Sequence, residues 1–423
     1  MTQRIIETVW RMESARIIAA TARTLRDIGL AEEVAQDVLL AALQQWPESG
    51  VPDNPGAWLT AAAKNRAIDH LRRQARIAGK HEEIARDLET DQKMITPTIE
   101  ERIDEDVGDD LLRLIFISCH PILPREARVA LTLRLLGGLT TQEIARAFLL
   151  PDATVGQRIF RAKKMLADAG AAFEMPSRED RTERLTSVLE ILYLVFNEGY
   201  SATAGDSWMR PQLCDEAMRL GRILAELVPD EPEVHGLVAL MELQASRFAA
   251  RVGPTGEPIR LQDQDRARWD QILLRRGLAA LARAEAIESP EGSYQLQAAL
   301  AACHARARTA SETDWALIAT LYGRLAKLID SSVIELNRAV AISMAEGPQA
   351  ALELIDRIGA DPALARYHLL PSVRGDLLEK LGRGLEARLE FERAAAMTHN
   401  ERERGLLLAR AAEVDAAAAK LSQ

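Results

Sequence analysis

Six polar side chains on one stretch of the chain are of the types that bind DNA phosphates and base edges. They lie in TTQEIARAFLLPDATVGQRIFRAKKML (residues 140–166) and are Thr154, Gln157, Arg158, Arg161, Lys163 and Lys164. Arginine and glutamine form hydrogen bonds with base edges in the major groove, and lysine and arginine neutralise phosphates. These residue types at helical spacing therefore predict a DNA-binding surface.

The other side of the same helix is apolar. Val155, Ile159, Ala162 and Leu166 recur at i, i+4, i+7 and i+11 and form one stripe. A shorter helix precedes a turn at Leu150–Pro151, which completes a helix-turn-helix signature. Asp152 is expected to be the N-cap residue and to leave the N–H groups of the first turn aimed at a groove. Taken alone, the segment also fits an ordinary amphipathic helix with solvated charges.

A second polar stripe lies nearer the N-terminus, in AWLTAAAKNRAIDHLRRQAR (residues 57–76). Trp58, Asn65, Asp69, Arg72 and Arg76 fall at i, i+7, i+11, i+14 and i+18. Stacking of an unpaired base on an aromatic side chain contributes about 1–3 kcal/mol and offsets the cost of opening a duplex. The stripe therefore predicts contact with melted DNA, and the alternative is a helix that ends in a solvated arginine cluster.

The helix before it, AEEVAQDVLLAAL (residues 31–43), has two different faces. Val34, Val38 and Ala41 share one face and predict a buried side. The other face is expected to stay exposed as a docking surface, and it carries Glu33, Gln36, Asp37 and Leu40.

Residues 10–169 together resemble an extracytoplasmic-function (ECF) sigma factor, the type that keeps only the two essential sigma regions. The resemblance implies that the Glu33/Gln36/Asp37/Leu40 face binds core RNA polymerase, at the coiled coil of the largest-subunit clamp. It implies that the next helix recognises and melts the promoter minus-ten element through Trp58, Asn65, Arg66, Asp69, Arg72, Arg73 and Arg76.

The resemblance further implies that the helix-turn-helix reads the minus-thirty-five element. The implied DNA-binding residues are Thr154, Gln157, Arg158, Arg161, Lys163 and Lys164. Gly156 departs from the family pattern, because members often carry a basic or polar residue there, and glycine weakens a helix. Sequence preference at that position is therefore open.

The rest of the chain resembles a helical C-terminal extension related to tetratricopeptide repeats, found in one ECF subgroup. The phrases LYLVFNEGYSA, DQDRARWD, YQLQAALAACHA and NRAVA carry this resemblance. A shift of 37 residues places Gly347, Ala350, Leu352 and Leu354 on Gly384, Ala387, Leu389 and Phe391. A solenoid needs about three repeats to bury a continuous core, so less regular helical pairs are expected between residues 275 and 328.

Composition supports an all-α protein, because only 4% of residues are aromatic while 48% are hydrophobic and alanine is abundant. The predicted layout is a first sigma module at 1–80, an acidic linker at 81–110 and a second module, with the helix-turn-helix, at 111–170. A linker at 171–182 leads to a C-terminal tetratricopeptide-like regulatory domain at 183–423. No stretch reaches the ~18 apolar residues of a membrane span, so a cytoplasmic protein without membrane contact is expected.

The net charge of −10 is distributed unevenly along the chain. Residues 64–80 hold six basic residues against one acid, and residues 122–170 hold eight against four. Residues 81–110 hold twelve acids and three bases, which predicts a solvated tether; the alternative is a mimic of DNA in a polymerase channel. The basic charge is therefore concentrated in the two stretches expected to bind DNA.

The sequence offers no motif for catalysis, a cofactor or a metal. Cys119-His120 and Cys303-His304 are adjacent pairs whose side chains point about 100° apart on a helix, and no second pair lies at zinc-finger spacing. We expect a non-enzymatic initiation factor that binds core RNA polymerase and promoter DNA, with a possible protein partner or ligand for its C-terminal domain. Two alternatives stay open: a ligand-sensing helix-turn-helix regulator of duplex DNA that is not a sigma subunit, and a protein-interaction scaffold.

Overall fold

The computed structural model describes residues 2–77, 99–148, 150–200, 209–253, 259–365, 367–398 and 401–421. These ranges are built from α-helices and short 3₁₀ turns and contain no strand, which confirms the predicted all-α class. The chain divides into two compact units, residues 1–228 and 229–423.

The first unit begins with three mutually packed helices, α1 (Thr2–Leu25), α2 (Ile28–Ser49) and α3 (Pro55–Ile77). Two side chains start α2 and α3 by accepting hydrogen bonds from free N–H groups of the first turn. The carboxylate of Asp27 accepts from the Leu30 amide at 3.0 Å, and the Asn54 side chain accepts from the Ala57 amide at 3.0 Å.

Four helices follow in the same unit: α4 (Ile99–Ser118), α5 (Arg125–Leu135), α6 (Thr141–Phe148) and α7 (Asp152–Asp168). Helices α6 and α7 pack on α5 as the predicted helix-turn-helix. The predicted apolar stripe of α7 is buried at all four positions: Val155, Ile159, Ala162 and Leu166. A capping box starts α6, in which the Glu143 carboxylate accepts from the Thr140 amide at 2.8 Å and the Glu143 amide donates to the Thr140 hydroxyl at 3.1 Å.

The predicted N-cap of α7 is wrong by one residue. Pro151 occupies the cap position with an extended backbone (φ −63°, ψ 141°), and no side chain caps the helix there. The Pro151 carbonyl already accepts from the amides of Thr154 and Val155, so Asp152 lies inside the first turn. A carboxylate in that turn still interacts favourably with the helix dipole.

The predicted acidic linker is wrong in its second half, since residues 99–110 belong to α4. Asp110 is 2% exposed, and its carboxylate lies 2.6 Å from an Arg113 guanidinium nitrogen and 3.4 Å from one of Arg23. Acidic residues near a helix N-terminus are favoured by the helix dipole, so this charge run begins a helix. Residues 81–98 lie outside the described part of the chain.

Two further helices, α8 (Arg181–Tyr200) and α9 (Pro211–Leu227), complete the first unit. Polar side chains attach them to the preceding helices. The Ser187 hydroxyl donates to the Cys119 carbonyl at 2.6 Å, and Arg219 donates to the Leu136 carbonyl at 2.7 Å. The first compact unit therefore extends to residue 228, beyond the boundary predicted at residue 183. Within the predicted 171–182 linker, Phe173 is buried.

The second unit contains nine described helices in which each packs on the next. They are α10 (Pro232–Ala245), α11 (Gln271–Ala286), α12 (Ser293–Arg306), α13 (Trp315–Leu328), α14 (Ser332–Ala345), α15 (Pro348–Ile358), α16 (Leu369–Lys380), α17 (Gly384–Met397) and α18 (Glu401–Leu421). This succession of helices provides the helical pairs that were expected between residues 275 and 328.

The internal repeat is present, but its predicted register is shifted by one residue. Leu389 is 58% exposed, although the shift of 37 aligns it with Leu352, which is 3% exposed. A shift of 36 instead places Ala351 on Ala387 and Ile355 on Phe391, and these four residues belong to one core. Small apolar residues recur on several sides of these helices, so sequence matching alone does not fix which side is buried.

The DQDRARWD segment is a helix junction. The Asp265 carboxylate accepts from the Ala267 amide at 3.0 Å, and Asp270 caps α11. Arg266 donates to the carbonyls of His304 and Ala307, the second at 2.7 Å, and so satisfies the open C-terminal end of α12. These polar residues fix a turn within the second unit.

None of the described helices is long and apolar enough to cross a membrane. Across the described ranges, no three His, Cys, Asp or Glu side chains are grouped so that they could hold a metal ion.

Candidate functional site

Helix α2 has the two faces predicted for it. Val34 and Val38 are buried against the helices of the first module. Glu33, Asp37 and Leu40 are exposed, and Leu40 presents 55% of its surface to solvent. Gln36 is half-buried, and its side-chain amide donates to Glu32 Oε1 at 2.6 Å. The structure therefore places an acidic and apolar surface on one side of α2.

Helix α3 buries one side and presents the predicted stripe on the other. Leu59, Ala63 and Ala67 are buried. The candidate residues on the remaining surface are exposed at Asn65, Asp69, Arg72, Arg73 and Arg76 and half-buried at Trp58 and Arg66. Because an Asp69 carboxylate oxygen lies 3.9 Å from an Arg72 guanidinium nitrogen, part of the positive charge is offset.

Trp58 has a packing role as well as an exposed edge. Its ring meets the buried Trp46 ring edge to face, with centroids 5.4 Å apart and planes at 71°. Such aromatic pairs contribute about 0.5–1.5 kcal/mol beyond the area that they bury. The contact fixes the orientation of Trp58 at the start of α3.

Helix α7 separates the six candidate residues of the helix-turn-helix into three groups. Gln157, Arg161 and Lys164 are exposed, whereas Thr154 and Arg158 are half-buried. Arg158 borders a cavity of about 210 Å³ between the helix-turn-helix and α8, which Phe148 and Leu194 also line. Lys163 turns the other way, toward α2. Three of the six therefore form an open polar face.

Phe160 is a candidate that the sequence analysis missed. It is 68% exposed on α7, three residues after Gln157 and four before Lys164. Phenylalanine contacts the thymine methyl group in some major-groove complexes. The available signal was its position outside the apolar stripe, which left a large aromatic residue without a core partner. Gly156 leaves open space beside α7. A Cβ at this position would lie 3.9 Å from the Thr141 methyl group and would meet no closer atom outside the backbone of its own helix.

Glu32 is the second residue that sequence reasoning missed, and it joins the two modules. It is 4% exposed, its Oε1 lies 2.6 Å from Arg134 Nε, and its Oε2 forms an ion pair with Lys163. Burial raises the pKa of Glu32, but the positive charges of Lys163 and Arg134 outweigh that effect and hold the pKa below its ordinary value. The sequence offers one signal for this role: Glu32 is a charged residue on a side of α2 that helical periodicity predicts to be buried.

The cysteines of both Cys-His pairs are buried. Burial raises the pKa of the Cys119 thiol to about 11, and the sulfur lies 3.3 Å from the Thr132 hydroxyl. Burial and the positive charges of Arg247 and Arg266 lower the pKa of His304 to about 4. A buried, protonated thiol is a poor nucleophile, so the surroundings of Cys119 disfavour reactivity.

Three family models match the chain. Residues 10–77 match sigma-70 region 2, and residues 113–166 match sigma-70 region 4. Residues 184–285 match a family of unknown function, DUF6596. This third match begins close to the boundary predicted at residue 183 and extends across the division between the two compact units.

Relatives of known sequence cover different parts of the chain. An uncharacterized protein of Rhizobium meliloti (strain 1021) is 44% identical over 388 residues, which is 91% of this chain and 90% of that protein. The ECF RNA polymerase sigma-E factor of Haemophilus influenzae is 34% identical over 110 residues, 26% of this chain and 58% of that protein. The ECF RNA polymerase sigma factor SigK of Mycobacterium ulcerans is 26% identical over 152 residues, 34% of this chain and 74% of that protein. No solved structure matches the chain significantly.

The order of the matches agrees with the structure. The region 2 match runs from residue 10 in α1 to the end of α3, and the region 4 match covers the last part of α4, then α5 and the helix-turn-helix. Sigma factors direct transcription initiation and leave the chemistry to the polymerase. With both sigma regions present and named sigma factors among its relatives, the chain belongs to the family of extracytoplasmic-function RNA polymerase sigma factors.

Proposed function

We propose that this sigma factor binds core RNA polymerase through the face of α2 formed by Glu33, Gln36, Asp37 and Leu40. An exposed leucine beside two exposed carboxylates combines an apolar contact with charges that steer a basic partner. The opposite side of α2 is buried, so substitutions on the exposed face act on binding and leave the core unchanged. Because the protein acts together with core RNA polymerase, we propose that it acts in the cytoplasm.

The minus-ten interface is the exposed side of α3. Its arginines supply phosphate contacts, while Trp58 and Asn65 supply an aromatic edge and an amide for unpaired bases. We assign the residues Trp58, Asn65, Arg66, Asp69, Arg72, Arg73 and Arg76 to this surface.

The minus-thirty-five interface is the outer face of α7. Gln157, Phe160 and Arg161 are placed to read base edges, and Lys164 to bind a phosphate. Thr154 and Arg158 lie at the margin of this face. Lys163 reaches DNA only when its contact with Glu32 is broken.

The C-terminal unit regulates initiation in cis by binding a protein or small-molecule partner. The described part of the second unit consists of successive helical pairs, an arrangement that other repeat proteins use as an extended binding surface. Helix α17 exposes Leu385 and Leu389, one turn apart, at 67% and 58%. These residues add apolar area to a surface of this kind.

The exposed face of α2 is the observation that carries the proposal. A regulator of duplex DNA and an interaction scaffold both account for a helix-turn-helix and a repeat-like domain. Neither needs an acidic and apolar face opposite the core of the first module, whereas a subunit of RNA polymerase does.

Transcription in vitro tests the proposal. Purified core polymerase, with and without the protein, is supplied with a library of promoter fragments, and transcript starts are mapped. We expect starts that depend on the protein and share sequence near minus ten and minus thirty-five. Binding to duplex DNA with no protein-dependent transcript would favour the ligand-sensing regulator instead.

A further inference from the structure

We propose that Glu32, Arg134 and Lys163 form a latch that holds the two sigma modules together in the free protein. The inference rests on the proposed function, because it gives the latch a role in promoter binding. Glu32 lies on α2, Arg134 on α5 and Lys163 on α7. The latch therefore connects the polymerase-binding helix to the helix that reads DNA.

Both carboxylate oxygens of Glu32 have a cationic partner. Its carboxylate is buried and meets Arg134 at 2.6 Å through one oxygen and Lys163 through the other. Arg134 is held in place by a second hydrogen bond, from its guanidinium to the Leu139 carbonyl at 3.1 Å. A buried carboxylate with two cations from another module is a specific attachment, because removing either cation leaves charge inside the interface.

Three other contacts follow the same seam between the modules. Gly138 has a positive φ of +63°, and a Cβ there would lie 2.9 Å from the Ser14 hydroxyl, so the turn after α5 closely approaches α1. Arg11 and Glu143 form an ion pair at 3.0 Å, and Arg23 pairs with the buried Asp110 at 3.4 Å. The latch is thus one part of a continuous contact, and its two cations, Arg134 and Lys163, are less exposed than Arg11 and Arg23.

The closed arrangement cannot bind both promoter elements at once. The minus-ten and minus-thirty-five elements are about 25 base pairs apart, which is roughly 85 Å along B-form DNA. In the structure, however, Lys163 on α7 makes a direct ion pair with Glu32 on α2. The modules must therefore separate before promoter binding, and the contacts of the latch must break.

The latch lies beside both proposed interfaces. Lys163 is unavailable to DNA while it pairs with Glu32. Gln36 and Leu40 of the polymerase-binding face line one cavity together with Arg134 of the second module. When the modules separate, water can solvate Glu32, so opening leaves no charge stranded in a core. Polymerase binding on α2 and latch closure therefore oppose each other.

The distance between the modules in the free, full-length protein tests the latch. Spin labels at Glu48→Cys and Asp168→Cys, both exposed positions, report the separation of α2 and α7, while the native Cys119, Cys214 and Cys303 are buried. We expect one short distance in the labelled wild type. Lys163→Met and Glu32→Gln should shift the distribution toward longer distances, whereas Lys164→Met, a neighbouring lysine outside the latch, should not.

The affinity for core polymerase provides a second test of the latch. A binding-competent state populated at about 10% weakens apparent affinity about tenfold, so Lys163→Met should bind core polymerase up to about tenfold more tightly than wild type. Circular dichroism shows whether each variant is folded, and Lys163→Met tests the latch even if Glu32→Gln fails to fold.

The outcomes separate this inference from the proposed function. If folded Lys163→Met keeps the short distance of the wild type, or if the wild type is already extended, the latch does not exist. If no variant binds core polymerase although the distances shift as expected, the proposed function fails while the intramolecular attachment stands.

Discussion

Lys163 and Lys164 are neighbours in the chain but have different surroundings. Lys163 pairs with the buried Glu32, whereas Lys164 is exposed on the open polar face of α7. Adjacent residues on a helix point about 100° apart, so the two charges serve different surfaces. Residue type and position in the sequence assign both to DNA, and only the packing of the modules separates them.

For DNA binding, we expect Gln157→Ala and Lys164→Ala to differ in kind. Gln157→Ala should alter selectivity among minus-thirty-five variants by about 1–3 kcal/mol at one position, because it removes a contact with a base edge. Lys164→Ala should weaken binding to all sequences alike and reduce the salt slope by about 0.9, the value of one phosphate contact. Titrations of promoter duplexes at several salt concentrations measure both effects. Indistinguishable behaviour of the two variants would contradict the assignment.

For polymerase binding, Asp37→Lys is expected to weaken affinity about tenfold or more, or roughly 1.4 kcal/mol. The reversed charge repels a basic partner surface, while the buried Val34 and Val38 keep α2 folded. Glu48→Lys is the matched control, because it makes the same charge change on the same helix outside the proposed face. Equal affinities of the two folded variants for core polymerase would exclude this face as the docking surface.

The pKa of Glu32 predicts a pH dependence of stability. The folded-state pKa lies below its ordinary value of 4.5, so the ionised carboxylate stabilises the closed form above that pH. This contribution is lost as pH falls from 4.5 through the lowered pKa. The difference in thermal midpoint between wild type and Glu32→Gln should therefore be constant from pH 7 to about 5.5 and shrink below 4.5. If this difference in thermal midpoint is the same at pH 7 and pH 3.5, the charge of Glu32 does not contribute to the stability of the folded protein.

Among the elements, those with clear periodicity were predictable from the sequence. The apolar stripe of α7 and the two faces of α2 follow from 3.6-residue spacing, which depends only on local sequence. The partner of a buried charge does not: Glu32 and Lys163 are 131 residues apart, and no local pattern connects them. The acidic run in the first half of α4 was misjudged for a related reason, since charge counts do not show that Asp110 lies against Arg23.

Two glycines provide a prediction at the level of helix packing. A Cβ on Gly199 of α8 would lie 2.7 Å from Cys214 Sγ and 2.8 Å from the Arg210 carbonyl oxygen, so Gly199→Ala should destabilise the first unit by about 1–3 kcal/mol. Gly156 of α7 has open space, so Gly156→Ala should stabilise by about 0.5–1 kcal/mol through helix propensity. Thermal unfolding of both variants measures the contrast. Equal shifts would mean that α8 and α9 do not approach as closely as the structure shows.

Across the whole molecule, the family boundary and the packing boundary fall at different places. The match to DUF6596 begins at residue 184, yet α8 and α9 pack with the helices of region 4 and belong to the first compact unit. The Arg184 guanidinium donates to the Phe116 carbonyl at 2.9 Å, and Arg128 donates to the Ser187 hydroxyl at 2.6 Å. The extension therefore begins as a structural part of the second sigma module.

This boundary determines how the role of the C-terminal unit can be tested. A chain that ends at Met175 loses α8 and α9 along with the second unit, and it uncovers the residues of α4 and α5 that they contact. A chain that ends at Val228 keeps the first unit intact. Only the longer truncation isolates the second unit from the folding of the second sigma module.

We expect the chain of residues 1–228 to bind promoter DNA but to lose transcription. The second unit offers an extended surface of helical pairs for a contact with polymerase or an activator. Residues 1–175 should lose both activities and unfold at a lower temperature, because polar and apolar contacts of α8 and α9 are gone. Thermal unfolding, DNA binding and transcription in vitro distinguish the two chains from the full-length protein. If residues 1–228 instead raise basal transcription, the second unit restrains the sigma modules; initiation at the wild-type rate under both inducing and non-inducing conditions in cells would rule out regulation in cis.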